Sequence, residues 1–209
     1  AKDSISASEL ERTKEAQKIS GLREEITRLE GEKGISETKA KEEAEKKERE
    51  IKEMKETHES LLGKLKKEVE HKDVKIEMVK EGLSLKIMGR VLFASGSDTI
   101  SKSGRDLLDR VSNVLINIKD RMIKVEGHTD NKPIGPRIID KFPTNWELSA
   151  SRATRVVRYL ENKGINPGLI AASGLAMYNP VATNDTREGR EQNRRIEIIL
   201  YPKELAKVE

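Results

Sequence analysis

From Leu85 onward the chain alternates apolar and polar positions, a period of two that marks a strand. Leu85, Ile87, Val91 and Phe93 share one face, with Gly89 in step. A helical stripe follows at Leu107, Leu108, Val111, Val114, Leu115 and Ile118, with Ser101 or Ser103 placed to cap it. Residues 122–127 alternate again and predict a second strand, just past which stands Asp130. Leu148, Val156, Val157 and Leu160 then lie on one side of a second helix, with Asn145 at its N-cap and Gly164 beyond its C-terminus. A short strand over residues 169–174 follows a turn at Asn166, Pro167 and Gly168. Ile196, Ile198 and Leu200 form one face of the last strand, with Glu197 opposite. The order β-α-β-α-β-β predicts an α+β, two-layer sandwich over residues 84–202: a mixed four-stranded sheet with its helices on one face.

The first 83 residues read differently. Ile19, Leu22, Ile26 and Leu29 step by three and four, as in a heptad seam. A second seam runs through Ile51, Met54, His58 and Leu61, and a third through Leu62, Leu65, Val69, Lys72, Ile76, Val79 and Leu83. The stripe is too thin to be buried by one helix alone. Residues 1–83 are therefore predicted as a helical coiled-coil rod that pairs two copies, Gly82 marking its end, and residues 203–209 as a C-terminal tail.

Composition supports this division. Charged residues make up 37% of the 209 and aromatic residues 3%, too polar for one large globule. The formal net charge of +4 divides into −2 for residues 1–83 and +6 for the remainder. A basic head suits an acidic polymer, but so few aromatics and no continuous basic stripe argue against nucleic acid. With no cysteine, thiolate metal sites, disulfides and a cysteine nucleophile are excluded. No run approaches the roughly 20 apolar residues of a membrane span. The chain opens at Ala1, so any membrane anchor is expected upstream of it.

Ser149 and Arg152 lie three apart and share a side of the second helix. An aspartate pairs with an ammonium, and an arginine grips a carboxylate with two parallel N–H bonds. Asp130 with Arg152 is thus a candidate receptor for a small zwitterion. Arg194 and Arg195 precede a strand and should point to opposite faces. Enzyme and metal readings are weak. His128 has no second imidazole nearby, His58 has none at i+4, and Ser149 and Ser151 lack a nucleophile elbow. The turn at Ser95, Gly96 and Ser97 has no phosphate-loop lysine. Trp146, at the helix start, is expected to anchor packing.

GHTD, then NWELSASRA, then NRRIEI, in that order, resemble the OmpA-like peptidoglycan-binding domain family found in outer-membrane protein A and the motor protein MotB. The resemblance covers residues 84–202. It implies a non-enzymatic, cofactor-free grip on peptidoglycan at the diaminopimelate of its stem peptide. Asp130 would hold the ammonium and Arg152 the carboxylate, with Thr129, Asn145, Leu148 and Arg194 lining the pocket. The implied setting is the periplasm or cell envelope. The alternative is a coiled-coil scaffold whose head binds a protein.

Overall fold

A computed structural model describes residues 2–80, 82–94 and 96–203, with backbone alone for 2–16 and 19. The Ile19 side chain, Ser95 of the small-residue turn and residues 204–209 of the expected tail lie outside this set. The chain divides into two units, residues 1–52 and 53–209.

The first unit is helical. Helix α1 (Lys2–Lys64) runs through it and on into the second. Leu22, Ile26, Leu29 and Ile35 are each about half exposed. Ion pairs at helical spacing, such as Arg28 with Glu25 at 2.7 Å and Lys47 with Glu43 at 2.9 Å, line the helix surface.

The second unit holds α2 (Lys66–Glu70), β1 (Val74–Val79), β2 (Gly82–Met88), α3 (Gly89–Leu92), α4 (Lys102–Leu115), β3 (Arg121–Gly127), α5 (Asn145–Asn162), β4 (Ile170–Gly174), α6 (Arg187–Asn193) and β5 (Arg195–Pro202). The sheet is mixed, with order β1-β2-β5-β3-β4, and only β3 and β4 run parallel, through the α5 crossover. On one face Leu83, Leu85, Ile87, Ile123, Val125, Ile196, Ile198 and Leu200 are buried in one core with the apolar stripes of α4 and α5. The register puts Lys75, Glu77, Lys86, Lys124, Glu126 and Glu197 on the other face.

The structure corrects the sequence reading at the rod's end. The long helix stops at Lys64, and the segment expected to continue it forms a fifth strand, β1, paired antiparallel with β2. Over residues 74–79 a different set, Val74, Ile76 and Met78, follows a period of two, with Val74 and Ile76 buried. Lys72 breaks the helix in left-handed conformation, φ 59°. Pairing then decides, because β1 hydrogen-bonds the edge that the buried strand β2 would otherwise leave open. Gly82 belongs to this hairpin and does not end a rod. Met54, Leu61 and Leu65, read as seam positions, are buried in the second unit's own core. The first strand also ends earlier than expected, at Met88, and its continuation turns into α3.

Candidate functional site

The α5 N-terminus lies directly on the ends of β3 and β4, because two glycines allow it. A Cβ on Gly127 would stand 2.1 Å from the Ser149 carbonyl oxygen, and one on Gly174 would stand 2.6 Å from Ala150 N. Ser149, fully buried, accepts from Ala176 N through its hydroxyl at 3.1 Å, locking the loop after β4 to α5. The cap lies one residue before the expected Asn145. Thr144 Oγ1 accepts from Trp146 N at 3.1 Å, and Glu147 accepts from Thr144 N at 2.8 Å, a reciprocal capping box. Asn145 is thereby free of capping. Its amide donates to the Lys132 carbonyl at 3.0 Å and the Asp130 carbonyl at 3.4 Å.

Asn145 and Arg194 both reach Asp130, and Asp130 acts electrostatically on Arg152. Asp130 and Arg152 are only 6% and 8% exposed. Asp130 Oδ1 accepts from Lys132 N at 3.2 Å, and its Oδ2 is bound by Arg194 Nη1. Thr129 is buried beside it, its amide donating to the Ala176 carbonyl at 2.8 Å. Leu148 is buried on α5, one turn before Arg152. Arg194 and Arg195 part to opposite faces: Arg194 reaches Asp130, and Arg195 lies at 3.5 Å from Glu197.

Arg152 Nε donates to the Ser97 carbonyl at 2.9 Å, and its guanidinium lies 5.0 Å from the Phe93 ring centroid. Burial pulls its pKa down to about 10; Asp98 and Asp130 oppose that shift and Arg194 adds to it. At neutral pH the group keeps its charge in poorly solvated surroundings, a state that favours an incoming anion.

Sequence reasoning missed buried polar groups that brace the elements around this site. Asp98 is 1% exposed and receives Lys141 Nζ at 2.6 Å, Ser151 Oγ at 2.8 Å and Arg155 Nε at 3.2 Å. It ties the segment after α3 to the loop 131–144 and to α5. Burial raises the Asp98 pKa, but the hydrogen bonds from Lys141, Ser151 and Arg155 outweigh it and hold the group at about 2. A folded-state value below the unfolded one stabilises the fold above the unfolded pKa of ~4, and that stability is lost as pH falls toward 2. Asp98→Asn is expected to cost about 2 kcal/mol at pH 7, with the gap from the parent closing between pH 4 and about 2. Urea unfolding across this range reads the gap, and a gap independent of pH would remove Asp98 from this role. Asn193, fully buried, was also missed. It accepts from Val181 N at 2.8 Å and Ala182 N at 3.0 Å, fixing the loop ahead of Arg194. A polar residue within GSD or NRR gives no sign in one dimension of how deeply it is buried.

One further expectation changes. Trp146 does not anchor the core: it is 47% exposed and stacks on Tyr178, ring centroids 5.3 Å apart. His128 lies near Glu126 and Glu197 on the charged sheet face. A separate groove of about 620 Å³, lined by Val69, Val74, Ile76, Met88 and Val181 among others, contains none of the six expected site residues.

No described helix is long and apolar enough to cross a membrane. Residues 92–194 match the OmpA family. Motility protein B of Bacillus subtilis is 38% identical over 138 residues, 66% of this chain and 51% of that protein. The chain thus spans about half the length of that relative. The outer-membrane lipoprotein YfiB of Pseudomonas aeruginosa is 32% identical over 59% of this chain and 70% of that protein. The solved cell wall anchor of the T6SS from Pseudomonas aeruginosa superposes with a TM-score of 0.62 at 34% identity, over 68% of this chain and 96% of that one. The matched segment begins at Leu92 and ends at Arg194, so it contains Asp130, Arg152 and the partners of both, and the chain belongs to the OmpA family.

Proposed function

We propose that the chain binds peptidoglycan non-covalently in the cell envelope, seating the zwitterionic end of a stem-peptide diaminopimelate between Asp130 and Arg152. The observation that carries this reading is the convergence itself. What supports it is that α5, which carries Arg152, lies against β3 at Gly127, and that the Asp130 carboxylate acts electrostatically on the Arg152 guanidinium. Arg152 spends its Nε on the Ser97 carbonyl, which leaves the two terminal nitrogens for a ligand carboxylate. The ligand ammonium takes the place of Arg194 on Asp130, and Arg194, whose side chain is 38% exposed, swings outward. Thr129, Asn145 and Leu148 shape the wall of the pocket. The cell wall anchor and motility protein likenesses support the same reading.

Each charge-assisted hydrogen bond contributes about 1.5–3 kcal/mol, which places one pocket in the millimolar to micromolar range. The half-exposed stripe at Leu22, Ile26 and Leu29 supports a homodimer through the N-terminal helix. Two pockets on one polymer then strengthen attachment by roughly 10²–10⁴. Sedimentation equilibrium of the full chain reads the dimer directly, and a monomer at micromolar concentration would remove it.

Cosedimentation with purified diaminopimelate-type sacculi tests the function. The chain is expected in the pellet, and free diaminopimelate at millimolar concentration is expected to release it while cadaverine, which has ammonium groups but no carboxylate, does not. Failure to pellet would overturn wall binding. Equal release by cadaverine would overturn the zwitterion pocket alone.

A further inference from the structure

Strands β3 and β5 pair so that Glu126 stands directly opposite Glu197. Like charges facing each other across a ladder destabilise it, and these two are each only 8% exposed. Their oxygens divide. Glu126 Oε1 meets Lys124 Nζ at 3.1 Å; Glu197 Oε1 meets Lys86 Nζ at 3.4 Å and Arg195 Nε at 3.5 Å. The two Oε2 atoms turn instead toward one imidazole. His128 Nε2 lies 3.5 Å from Glu126 Oε2 and 3.9 Å from Glu197 Oε2.

His128 is 3% exposed, and among the described residues neither ring nitrogen has a hydrogen-bond partner. A buried polar group left unsatisfied calls for a reason, and an ion is one of the few available. The backbone fixes the ring's place, because His128 N donates to the Arg195 carbonyl at 3.0 Å and so extends the β3–β5 ladder past Gly127.

We propose that Glu126 Oε2, His128 Nε2 and Glu197 Oε2 are the protein ligands of a divalent transition-metal ion, with zinc the best fit. One imidazole and two carboxylates are a donor set zinc accepts. Bonds of about 2.0–2.2 Å in tetrahedral geometry hold ligand atoms roughly 3.3–3.6 Å apart. The three candidate atoms lie within 4.8 Å of one another, and the two distances from the imidazole already approach that spacing. Small side-chain rotations close the rest. Lys124, Lys86 and Arg195 hold the outer oxygens and so orient both carboxylates, as outer hydrogen bonds do around metal ligands. Their positive charge also weakens the attraction for a cation, so the site is of moderate affinity. A bound ion would clamp β3 to β5 two residues before Asp130. The inference is independent of wall binding.

The test is titration of the full chain, freed of metal by a chelator, with cobalt(II) as a zinc surrogate, followed by visible absorption. The parent is expected to develop the intense bands of four-coordinate cobalt to a single equivalence point, and zinc to erase them. Glu197→Gln and His128→Asn are expected to lose the bands, whereas His58→Ala with His71→Ala keeps them. A folded parent that shows no bands at saturating cobalt overturns the proposal without recourse to any variant. So do bands that survive in Glu197→Gln and His128→Asn, which would mark an adventitious ion only. Circular dichroism confirms the fold of each variant; if His128→Asn does not fold, Glu197→Gln decides.

Discussion

Arg152→Ala lowers the affinity for a diaminopimelate-containing stem peptide by about 10- to 150-fold, the equivalent of one lost charge-assisted contact at about 1.5–3 kcal/mol. The reasoning starts from position. Arg152 lies on the buried side of α5, where its Nε is held by the Ser97 carbonyl and its plane by the Phe93 ring. What remains for a ligand is the terminal fork. Arg152→Lys keeps a charge but loses the fork, so it recovers little of the affinity. The alanine variant also loses one hydrogen bond and a cation–π contact, a cost of roughly 1–3 kcal/mol in stability. Calorimetry on protein shown to be folded by circular dichroism separates the two effects. Affinity within twofold of the parent would mean that the ligand carboxylate goes elsewhere.

Gly127→Ala is the second large effect, expected to destabilise the second unit by about 3 kcal/mol. The new methyl group would meet the Ser149 carbonyl oxygen at 2.1 Å and the Ser149 carbonyl carbon at 2.8 Å. These are backbone atoms in the first turns of α5, so no side-chain rotation relieves the clash. The helix must lift from β3, carrying Arg152 with it and loosening the Ser149 contact to Ala176 N. The urea midpoint should fall and peptide affinity with it. A midpoint within about 0.5 kcal/mol of the parent would show that the approach of α5 to β3 is not tight there.

The account could be read from the sequence wherever a period was long or a chemistry was paired. The α4 stripe from Leu107 to Leu115, the β5 face at Ile196, Ile198 and Leu200, and Gly164 beyond α5 (φ 96°) all fall where periodicity and capping place them. Arg194 and Arg195 part as a strand requires. Strand β1 did not declare itself, because six residues with four apolar positions, Val74, Ile76, Met78 and Val79, fit helix and strand alike, and only the open edge of β2 decides between them. Met54, Leu61 and Leu65 repeat at helical spacing whether they face a second chain or their own domain. Thr144 and Asn145 are both good caps; the returning Glu147 carboxylate selects Thr144. Asp98 could not be picked out from the sequence, since its partners lie 43, 53 and 57 positions away. Trp146 was misjudged because hydrophobicity alone does not say that a ring stacks outside the core.

These cases share a physical cause. Local pattern records which face of an element is apolar, whereas the site depends on which elements end side by side. Gly127 and Gly174 carry that second kind of information, but only once the helix that approaches them is known. The Asp130 carboxylate and the Arg152 guanidinium gain their meaning from that approach.

A crystal structure of the chain with a diaminopimelate-containing stem peptide measures this most directly. The expected result is the ligand ammonium within hydrogen-bond distance of Asp130, Arg194 turned away, and the ligand carboxylate on the terminal nitrogens of Arg152. A peptide seated elsewhere, with the pair between Asp130 and Arg194 intact, would contradict the account.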